Sequence, residues 1–239
     1  MDENAKILIN EAKKRKIKIE NIDQDFDLWM WQKSNRVSFS VGTLTELTDT
    51  IAYRLIETKY YVFSLLNKNG FLTNRWKKTI KMSEVRIFLE EVGVALLSRI
   101  RLRERDRKNN FIKKGNPLKN VLKDFFAFYE KPWEESDKLP IAVFLTQKVT
   151  KKIIRATVLN FQEVYFSENE KEMKFYAKKF IEAAKIFRSP VIEFECFIKN
   201  GEPVFVNASA GVSLSVYEKN IGTKIAKAMI DLMQKNKLI

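Results

Sequence analysis

The stretch from residue 189 to residue 232 reads SPVIEFECFIKNGEPVFVNASAGVSLSVYEKNIGTKIAKAMIDL, and it is the most informative part of the chain. Two apolar-rich runs, Pro190–Lys199 and Pro203–Asn207, flank the dipeptide Asn200-Gly201. Because Asn-Gly favours the tight turn of a β-hairpin, the two runs are predicted to pair as antiparallel strands. A helix over Ile221–Gln234 is predicted to follow them.

Outward from this stretch, the chain alternates between helical and extended patterns. Helices are predicted over Ala5–Lys14, Leu44–Glu57, Lys59–Asn69, Val85–Val92, Leu118–Tyr129 and Asn169–Phe187. Strands are predicted over Ile17–Ile22, Val37–Val41, Val94–Leu97, Ile141–Leu145, Lys152–Leu159 and Glu163–Phe166. Thr43 and Glu46 have the spacing of a capping box, which sets the start of the second helix. Together these patterns predict an α/β (α+β) protein with antiparallel-rich sheets flanked by helices.

The composition narrows the possible chemistry. The chain of 239 residues contains no histidine and a single cysteine, Cys196. Histidine-based triads, histidine metal sites, cysteine zinc clusters and an intramolecular disulfide are therefore excluded. Carboxylates, lysine, arginine, backbone N–H groups and hard cations such as Mg²⁺ remain. That inventory suits phosphate chemistry, which depends mainly on positioning and charge neutralisation.

The charge balance points to anionic partners. The net charge is +14, from 44 Lys and Arg against 30 Asp and Glu. Nucleotides, nucleic acid and acidic peptides would all be attracted, although a lysine-rich solvated surface explains the charge equally well. No apolar run approaches the ~18 residues that a membrane span needs. The first 20 residues carry charges where a signal peptide has an apolar region, so we expect a cytoplasmic protein without a membrane partner.

The segment 189–232 resembles the closing segment of ATP-grasp ligases. In that family a strand carries an acidic metal ligand and an Asn-Gly or Asp-Gly turn follows it. The next strand carries a Glu-x-Asn pair, and a Pro-Gly loop and a helix come after it. Glu195 occupies the place of the first acid, Asn207 that of the metal-binding Asn, and Gly211 that of the loop glycine. The resemblance implies ATP and Mg²⁺ as cofactors.

Two further segments support the resemblance. ILINEAKKRKIKIENID (7–23) and LTDTIAYRLIETKYYVFSLLNKNGF (47–71) resemble the lead-in of glutathione synthetases, cyanophycin synthetases and RimK-like ligases, and place Lys59 against ATP. FLTQKVTKKIIRATVLN (144–160) resembles a RimK-like strand pair, which implies Gln147 at the adenine edge and Arg155 at a phosphate or acyl-phosphate. The implied division is a lead-in over 1–80, a small central subdomain over 81–135 and a C-terminal subdomain over 136–239.

The sequence departs from the family pattern at several functional positions. Phe205 stands where the family has the Glu of Glu-x-Asn, and a phenyl ring cannot bind Mg²⁺. The strand VALLSRI (94–100) offers Ser98 or Arg99 in place of the second ATP-binding lysine. Asn109 and Asn110 occupy the places of glycines in the phosphate loop. The proline before the loop glycine is Ala210.

A shifted metal site remains open. Glu193 and Glu195 are two residues apart on a predicted strand, so their side chains point to the same face. With Asn207 they would form a Mg²⁺ site. Replacing Phe205 by Glu is expected to strengthen metal-dependent nucleotide binding. Alternatively, both glutamates lie on a solvated face of the sheet.

A run of alternating arginines follows the central apolar strand. Arg99, Arg101, Arg103, Arg105 and Arg107 would share one face of an extended segment, and guanidinium groups bind phosphate oxygens bidentately. The run would then grip a triphosphate. It would equally suit a nucleic acid, with stacking residues at Trp76, Phe111 and Trp133. A flexible basic loop is the alternative.

Two functions follow from these features. In the first, the chain keeps the ATP-grasp fold with an eroded nucleotide and metal site, and acts as a binding module for an anionic ligand (a nucleotide or an acidic peptide) or a nucleic acid. In the second, it is an active carboxylate–amine ligase that works through an acyl-phosphate. Then Lys59 and Arg155 would neutralise phosphate charge and Glu195 and Asn207 would hold Mg²⁺. A homo-oligomer or a protein partner is compatible with both.

Overall fold

A computed structural model of the chain describes residues 2–99, 110–128, 131, 133, 136–168 and 170–239. The chain forms two compact units. Unit 1 comprises Met1–Glu57 and Ile153–Ile239, and unit 2 comprises Thr58–Lys152. The division into 1–80, 81–135 and 136–239 follows chain order alone and stays a prediction.

In the described residues, helices and strands are interspersed along the chain. The helices are α1 Glu3–Lys14, α2 Thr50–Glu57, α3 Lys59–Lys68, α4 Met82–Val92, α5 Leu118–Phe128, α6 Glu170–Met173, α7 Ala177–Phe187 and α8 Lys219–Lys235. The strands are β1 Lys18–Asp23, β2 Leu28–Lys33, β3 Arg36–Val41, β4 Leu44–Thr45, β5 Trp76–Lys81, β6 Val94–Arg99, β7 Asn110–Lys113, β8 Lys138–Gln147, β9 Ile154–Leu159, β10 Glu163–Phe166, β11 Val191–Lys199 and β12 Glu202–Ser209.

Among the described residues, all the strands pair antiparallel, in three sheets. Unit 1 has a sheet of order β1-β2-β3-β4 and a second of order β10-β9-β11-β12. Unit 2 has one sheet of order β5-β8-β6-β7. The predicted hairpin is confirmed, because β11 and β12 pair around Asn200 and Gly201, which both have positive φ (52° and 75°). The predicted α+β class with antiparallel-rich sheets is confirmed as well.

The core of the second sheet of unit 1 is aromatic. Phe166, Phe180, Phe187, Phe194 and Phe205 are all almost completely buried. Their rings form edge and tilted contacts, with centroid separations of 5.2 Å between Phe194 and Phe205 and 5.3 Å between Phe180 and Phe205. Contacts of this kind add to the free energy of burying the rings. Helix α7 is therefore fixed to β11 and β12 by ring packing.

A second core in unit 1 lies between α1 and α8. Leu8 and Ala12 of α1 and Ile225 and Met229 of α8 are completely buried in one apolar cluster. Trp31 of β2 joins this cluster and donates its indole N–H to Ser40 Oγ at 2.8 Å. In unit 2, α4 and α5 cover one face of the sheet with a core that includes Phe126 and Leu97.

The predicted helix Leu44–Glu57 is shorter than expected. Leu44 and Thr45 pair with β3, and the helix begins only at Thr50. The predicted capping box does not form, because Thr43 Oγ1 donates to the carbonyl of Val212 at 2.8 Å. Glu46 instead accepts hydrogen bonds from the Ser38 hydroxyl and the Phe39 N–H. Tertiary partners thus replace the local capping contacts.

Four strands, β2, β4, β5 and β7, were not predicted from the sequence. Trp29 and Trp31 of β2 are buried in the core. The alternation of these tryptophans with other residues is a pattern from which the strand could have been predicted. β5 reads WKKTIK, which is too polar to predict a strand, and it forms through pairing with β8. The predicted helix ends at Tyr129 and Asn169 lie outside the described residues. The long helix from Asn169 to Phe187 is interrupted by a 3₁₀ turn at Lys174–Tyr176.

In the ranges that the structure describes, none of the helices combines the length and apolarity needed to cross a bilayer. The arginine run is only partly covered. Arg99 is the last residue of β6. Arg101, Arg103, Arg105 and Arg107 lie outside the described residues, and so does Asn109.

Replacing Gly222 by Ala in α8 should destabilise the protein. An added Cβ would lie 2.7 Å from the carbonyl oxygen of Leu214, which is backbone and belongs to the 3₁₀ turn Leu214–Val216. We expect a loss of about 1–2 kcal/mol, because this clash outweighs the gain of about 1 kcal/mol in helix propensity. Denaturant unfolding measures the change.

Lys224 of the same helix is exposed and provides the matched control. Its replacement by Ala should alter the free energy of unfolding by less than about 0.5 kcal/mol. A Gly222→Ala protein as stable as the wild type would contradict the close approach of the helix to the turn.

Candidate functional site

The pairing of β9 with β11 brings the charged residues of unit 1 together. Arg155 pairs with Glu195 and Thr157 pairs with Glu193 in the antiparallel register. Paired residues share a face of the sheet, and residues two apart do so as well. The four side chains therefore project from one face of this sheet, as was predicted for the two glutamates. We call Arg155, Thr157, Glu193 and Glu195 the carboxylate cluster.

Arg155 binds the outer glutamate of the cluster. Its Nε and Nη2 atoms donate to Glu195 Oε1 at 3.1 and 2.9 Å. Its Nε also lies 4.0 Å from Glu193 Oε1. The side chains of Arg155 and Glu195 keep 29% and 26% of their exposure, so this part of the cluster is open to solvent. One cation thus serves two carboxyl groups.

The inner glutamate, Glu193, is only 3% exposed and is surrounded by hydrogen-bond donors. Ser213 donates its N–H to Oε2 at 3.1 Å and its hydroxyl to Oε1 at 2.8 Å. The Tyr217 hydroxyl and the Thr157 hydroxyl lie 3.2 and 3.4 Å from Oε2. The Tyr217 hydroxyl oxygen is also 2.7 Å from Thr157 Oγ1. Both oxygens of the buried carboxyl group therefore have partners within the protein.

Burial sets the protonation behaviour of this group. Desolvation raises the pKa of Glu193, although the hydrogen bonds from Ser213 and the charge of Arg155 act in the opposite direction. Desolvation and the neighbouring Glu193 raise the pKa of Tyr217 well above its ordinary value. The Cys196 thiol lies in the core, and burial raises its pKa to about 12. A thiol with so high a pKa is a poor nucleophile.

A β-bulge separates Asn207 from Phe205. Asn207 pairs with Glu195, but Phe205 pairs with Cys196, so Val206 is an extra residue in β12. The bulge reverses the alternation of side chains along the strand. Asn207 shares the face of Glu195, whereas Phe205 lies on the opposite face, where its ring contacts Phe194 and Phe180.

The predicted nucleotide-binding residues belong to unit 2. Lys59 is the first residue of α3, Arg99 ends β6 and Gln147 ends β8. The backbone of Gln147 is fixed on both sides, because its N–H donates to the carbonyl of Arg75 and its carbonyl accepts from Asn74 Nδ2. Arg155, Glu193, Glu195 and Asn207 all belong to unit 1.

The sheet of unit 2 has one face that is not covered by α4 and α5. Trp76, Thr146, Leu96 and Phe111 form a row across the four strands on this face. Trp76 is partly covered by Phe63 of α3. Phe111 is 47% exposed, and Lys148 Nζ lies 5.4 Å from the centre of its ring. Trp133 is not on this face, because it is buried in the opposite core and donates to the carbonyl of Ser136, so its prediction as a stacking residue was wrong.

Comparison with known proteins identifies the fold. No family model matches the chain, and no curated protein matches it either. Solved structures do match. The ATP-grasp ligase PsnB, solved with a minimal precursor, Mg and ADP, has a TM-score of 0.53 and 16% identity over 79% of this chain and 62% of its own. The chain has the ATP-grasp fold.

Other ATP-grasp proteins show the same likeness. D-alanine–D-alanine ligase from Bacillus anthracis, solved with ATP, has a TM-score of 0.55 and 12% identity, over 79% of this chain and 68% of its own. A bifunctional glutathione synthetase from Pasteurella multocida has a TM-score of 0.58 and 10% identity, over 97% of this chain and 44% of its own. The chain spans less than two thirds of the length of PsnB.

A Mg²⁺ ion at Glu193, Glu195 and Asn207, the shifted site that the strand spacing suggested, would have to compete with protein partners already present. A hard cation needs several oxygen ligands that are free to coordinate it. Here both oxygens of Glu193 accept hydrogen bonds from protein donors, and a guanidinium group already binds Glu195. Phe205, in the place of a third ligand, faces the aromatic core. Searched over the described residues, the chain has no group of three or more acidic or cysteine side chains placed to hold a metal.

Three members of this network were not predicted from the sequence. Thr157, Ser213 and Tyr217 all contact Glu193. Thr157 could have been found, because it lies two residues after Arg155 on a predicted strand and so shares its face. Ser213 and Tyr217 come from the loop and 3₁₀ turn after β12, and no periodicity in SLSVY predicts where they point. The idea that Glu193 lies on a solvated face is wrong, because the side chain is buried.

The raised pKa of Glu193 should make stability depend on pH. A raised pKa means that the folded state binds the proton more tightly than the unfolded chain does, whose value is near 4.5. The contribution of Glu193 to stability is therefore fully present below that value and is lost as the pH rises through the folded pKa, with a slope of at most about 1.4 kcal/mol per pH unit.

This effect is measured as the difference in unfolding free energy between the wild type and Glu193→Gln, by urea titration at a series of pH values. The difference should shift in favour of the variant as the pH rises above 4.5. Glu182 lies on α7, away from the cluster, so Glu182→Gln controls for general charge effects. A shift of the opposite sign would contradict the dominance of desolvation at Glu193.

Replacing Phe205 by Glu should destabilise the protein and should not create a metal site. The new carboxyl group would enter the aromatic core on the face opposite Asn207. We expect a loss of about 4 kcal/mol or more, from the lost ring packing and the buried acid together. Phe205→Leu, the apolar control, should cost about 1–2 kcal/mol. A stable Phe205→Glu protein whose melting temperature rises with Mg²⁺ would show that the side chain reaches the other face.

Proposed function

We propose that this chain is a binding module with the ATP-grasp fold, which takes up an anionic ligand without Mg²⁺ and does not act as a Mg²⁺-dependent ligase. The observation that carries the proposal is the state of the carboxylate cluster. Each oxygen of Glu193 accepts a hydrogen bond from Ser213, and Arg155 is bound to Glu195.

Coordination of Mg²⁺ at this cluster would be costly. To coordinate the oxygen lone pairs that now accept hydrogen bonds, the ion would displace Arg155 from Glu195 Oε1 and the Ser213 donors from Glu193. Each buried donor left without an acceptor costs about 1–3 kcal/mol. Arg155 would also remain as a positive charge close to the ion, with its Nε 4.0 Å from Glu193 Oε1. Like charges at such a distance repel strongly in a partly buried site. The charged groups of the cluster therefore have partners within the protein and do not need a metal ion.

The charge distribution supports an anionic ligand in unit 2. Of the 44 basic residues, 22 lie in each unit, but only 10 of the 30 acidic residues lie in unit 2. Unit 2 therefore carries a net charge of +12, and unit 1 carries +2. Such an excess in one unit raises the local concentration of anions and their association rate. Lys59, Arg99 and Gln147, the residues predicted to bind a nucleotide, belong to this unit.

An active carboxylate–amine ligase is the competing function. The fold is compatible with it, and PsnB and D-alanine–D-alanine ligase, which have the same fold, were solved with ADP and Mg or with ATP. In this chain such a reaction would need Arg155 to leave Glu195 before phosphate and metal enter. Nucleotide binding with and without Mg²⁺, measured together with ADP release, decides between the two functions.

The test combines calorimetry of nucleotide binding with an assay of ADP release. The wild type should bind ATP equally well with and without Mg²⁺, should release no ADP, and should not gain thermal stability from Mg²⁺, because a ligand raises stability only where it binds the folded state. Arg155→Gln is the matched comparison. It removes the cation and keeps both glutamates, so any response to Mg²⁺ should be larger in this variant than in the wild type.

Tight ATP binding by the wild type that requires Mg²⁺, together with ADP release, would overturn the proposal and establish the ligase.

A further inference from the structure

The face of the unit 2 sheet opposite α4 and α5, which Phe63 of α3 covers at Trp76 and Phe144, combines lysines at its margins with an exposed ring. Phe111 and Lys113 are two residues apart on β7 and share this face, and Lys148 Nζ lies over the Phe111 ring. At the other edge of the sheet, Lys78 of β5 lies 4.4 Å from the ring of Tyr60. We call these residues (Tyr60, Lys78, Phe111, Lys113 and Lys148) the aromatic–lysine face.

The lysines of this face are available to an external anion. Lys78, Lys113 and Lys148 are all exposed. Within the described part of the chain, none of the three forms an ion pair with a carboxylate. By contrast, Lys77 and Lys114 next to them pair with Glu84 and Glu90. The charge of the three lysines on the aromatic–lysine face is therefore not neutralised by a carboxylate of the described residues.

The spacing of the lysines favours a chain of phosphates over a single nucleotide. Lys78 is on β5 and Lys113 is on β7, at opposite edges of a four-stranded sheet. Three strand spacings of about 4.8 Å separate these edges, and the two lysines also lie in different rows along the strands, so they are on the order of 15–20 Å apart. The phosphates of one nucleoside triphosphate lie together at one end of the molecule and cannot reach both lysines.

The exposed ring favours bases over carboxylates. A base can stack on Phe111, because every base has a π-face, and such stacking does not depend on sequence. Lys148 lies over the ring and would be displaced toward the adjoining phosphate as the base stacks. An acidic peptide would satisfy the lysines but would offer nothing that requires the aromatic ring.

We propose that unit 2 binds single-stranded nucleic acid across the aromatic–lysine face, with Lys78, Lys113 and Lys148 on phosphates and Phe111 under a base. The inference names the ligand class of the proposed function and rests on it. It concerns only residues of unit 2, so it can fail while the carboxylate cluster still excludes Mg²⁺.

The test is fluorescence anisotropy of the full chain with a labelled single strand of about 12 nucleotides, a length within the usual site sizes. Binding is measured between 50 and 200 mM salt, where a contact with several phosphates changes affinity strongly. The triple variant Lys78→Gln, Lys113→Gln and Lys148→Gln should lower the slope of log K against log salt by about 2, at about 0.7 per lost contact. The matched control is Lys178→Gln, Lys185→Gln and Lys224→Gln, which removes the same charge from unit 1 and should leave the slope nearly unchanged.

The stacking contact is tested separately. Phe111→Ala should weaken binding by roughly 10- to 100-fold with little change in the salt slope, because it removes a stacked base and no charge. Ile87→Ala removes a comparably exposed apolar side chain from α4, which covers the opposite face of the sheet, and should not affect binding. Thermal unfolding of each variant verifies that it is folded.

Three results would overturn the inference. The first is a lack of binding to the single strand at 50 mM salt, and the second is an equal fall in slope for the two triple variants. The third is a glutamate-rich peptide of the same length that binds as tightly as the single strand, with Phe111→Ala leaving both affinities unchanged. The last result would leave the proposed function intact with a peptide as the ligand. Mg²⁺-dependent ADP release would instead remove the proposed function itself.

Discussion

The antiparallel register between β9 and β11 is the constraint on which the site in unit 1 depends. It places Arg155 opposite Glu195 and Thr157 opposite Glu193, so two acids, a base and a hydroxyl are fixed on one face of a sheet. A slip of β9 by one residue would turn Arg155 and Thr157 into the aromatic core and separate them from Glu193 and Glu195. That core, with Phe180, Phe194 and Phe205 in contact, therefore holds the polar cluster in place from the other side of the sheet.

The cluster is stable because each charged or polar atom meets a suitable partner. Burying a carboxyl group is expensive unless donors satisfy it, and Glu193 receives donors from Ser213 and Tyr217 as well as from its own sheet. The loop and 3₁₀ turn that follow β12 are thus tied to the middle of the sheet. Gly222 permits the close approach of α8 to this turn, since a larger residue would meet the carbonyl of Leu214. The segment from β12 to α8 is therefore arranged around the buried Glu193.

How much of this could be read from the sequence differs from feature to feature. The hairpin was predicted from Asn200-Gly201 and alternating residues, because turn chemistry and period-two patterns are local. The polar strand β5 was missed because its stability comes from pairing with β8, which is not local. The cluster was half predicted. Glu193, Glu195 and Arg155 were recognised, but the hydrogen bonds of Glu193 to Ser213 and Tyr217 depend on a loop whose path no pattern encodes.

The bulge at Val206 has a consequence for how this strand can change over evolution. In a regular strand, residues two apart always lie on the same face of the sheet. Here the extra residue places Phe205 and Asn207 on opposite faces. An alignment that reads Phe205 as a point replacement of an acid treats the strand as regular. A single-codon substitution at that position delivers its new side chain to the core. To place residue 205 on the same face as Asn207, β11 would need an inserted residue opposite the bulge, which would restore regular pairing. A bulged and a regular hairpin therefore differ by an insertion and not by a substitution.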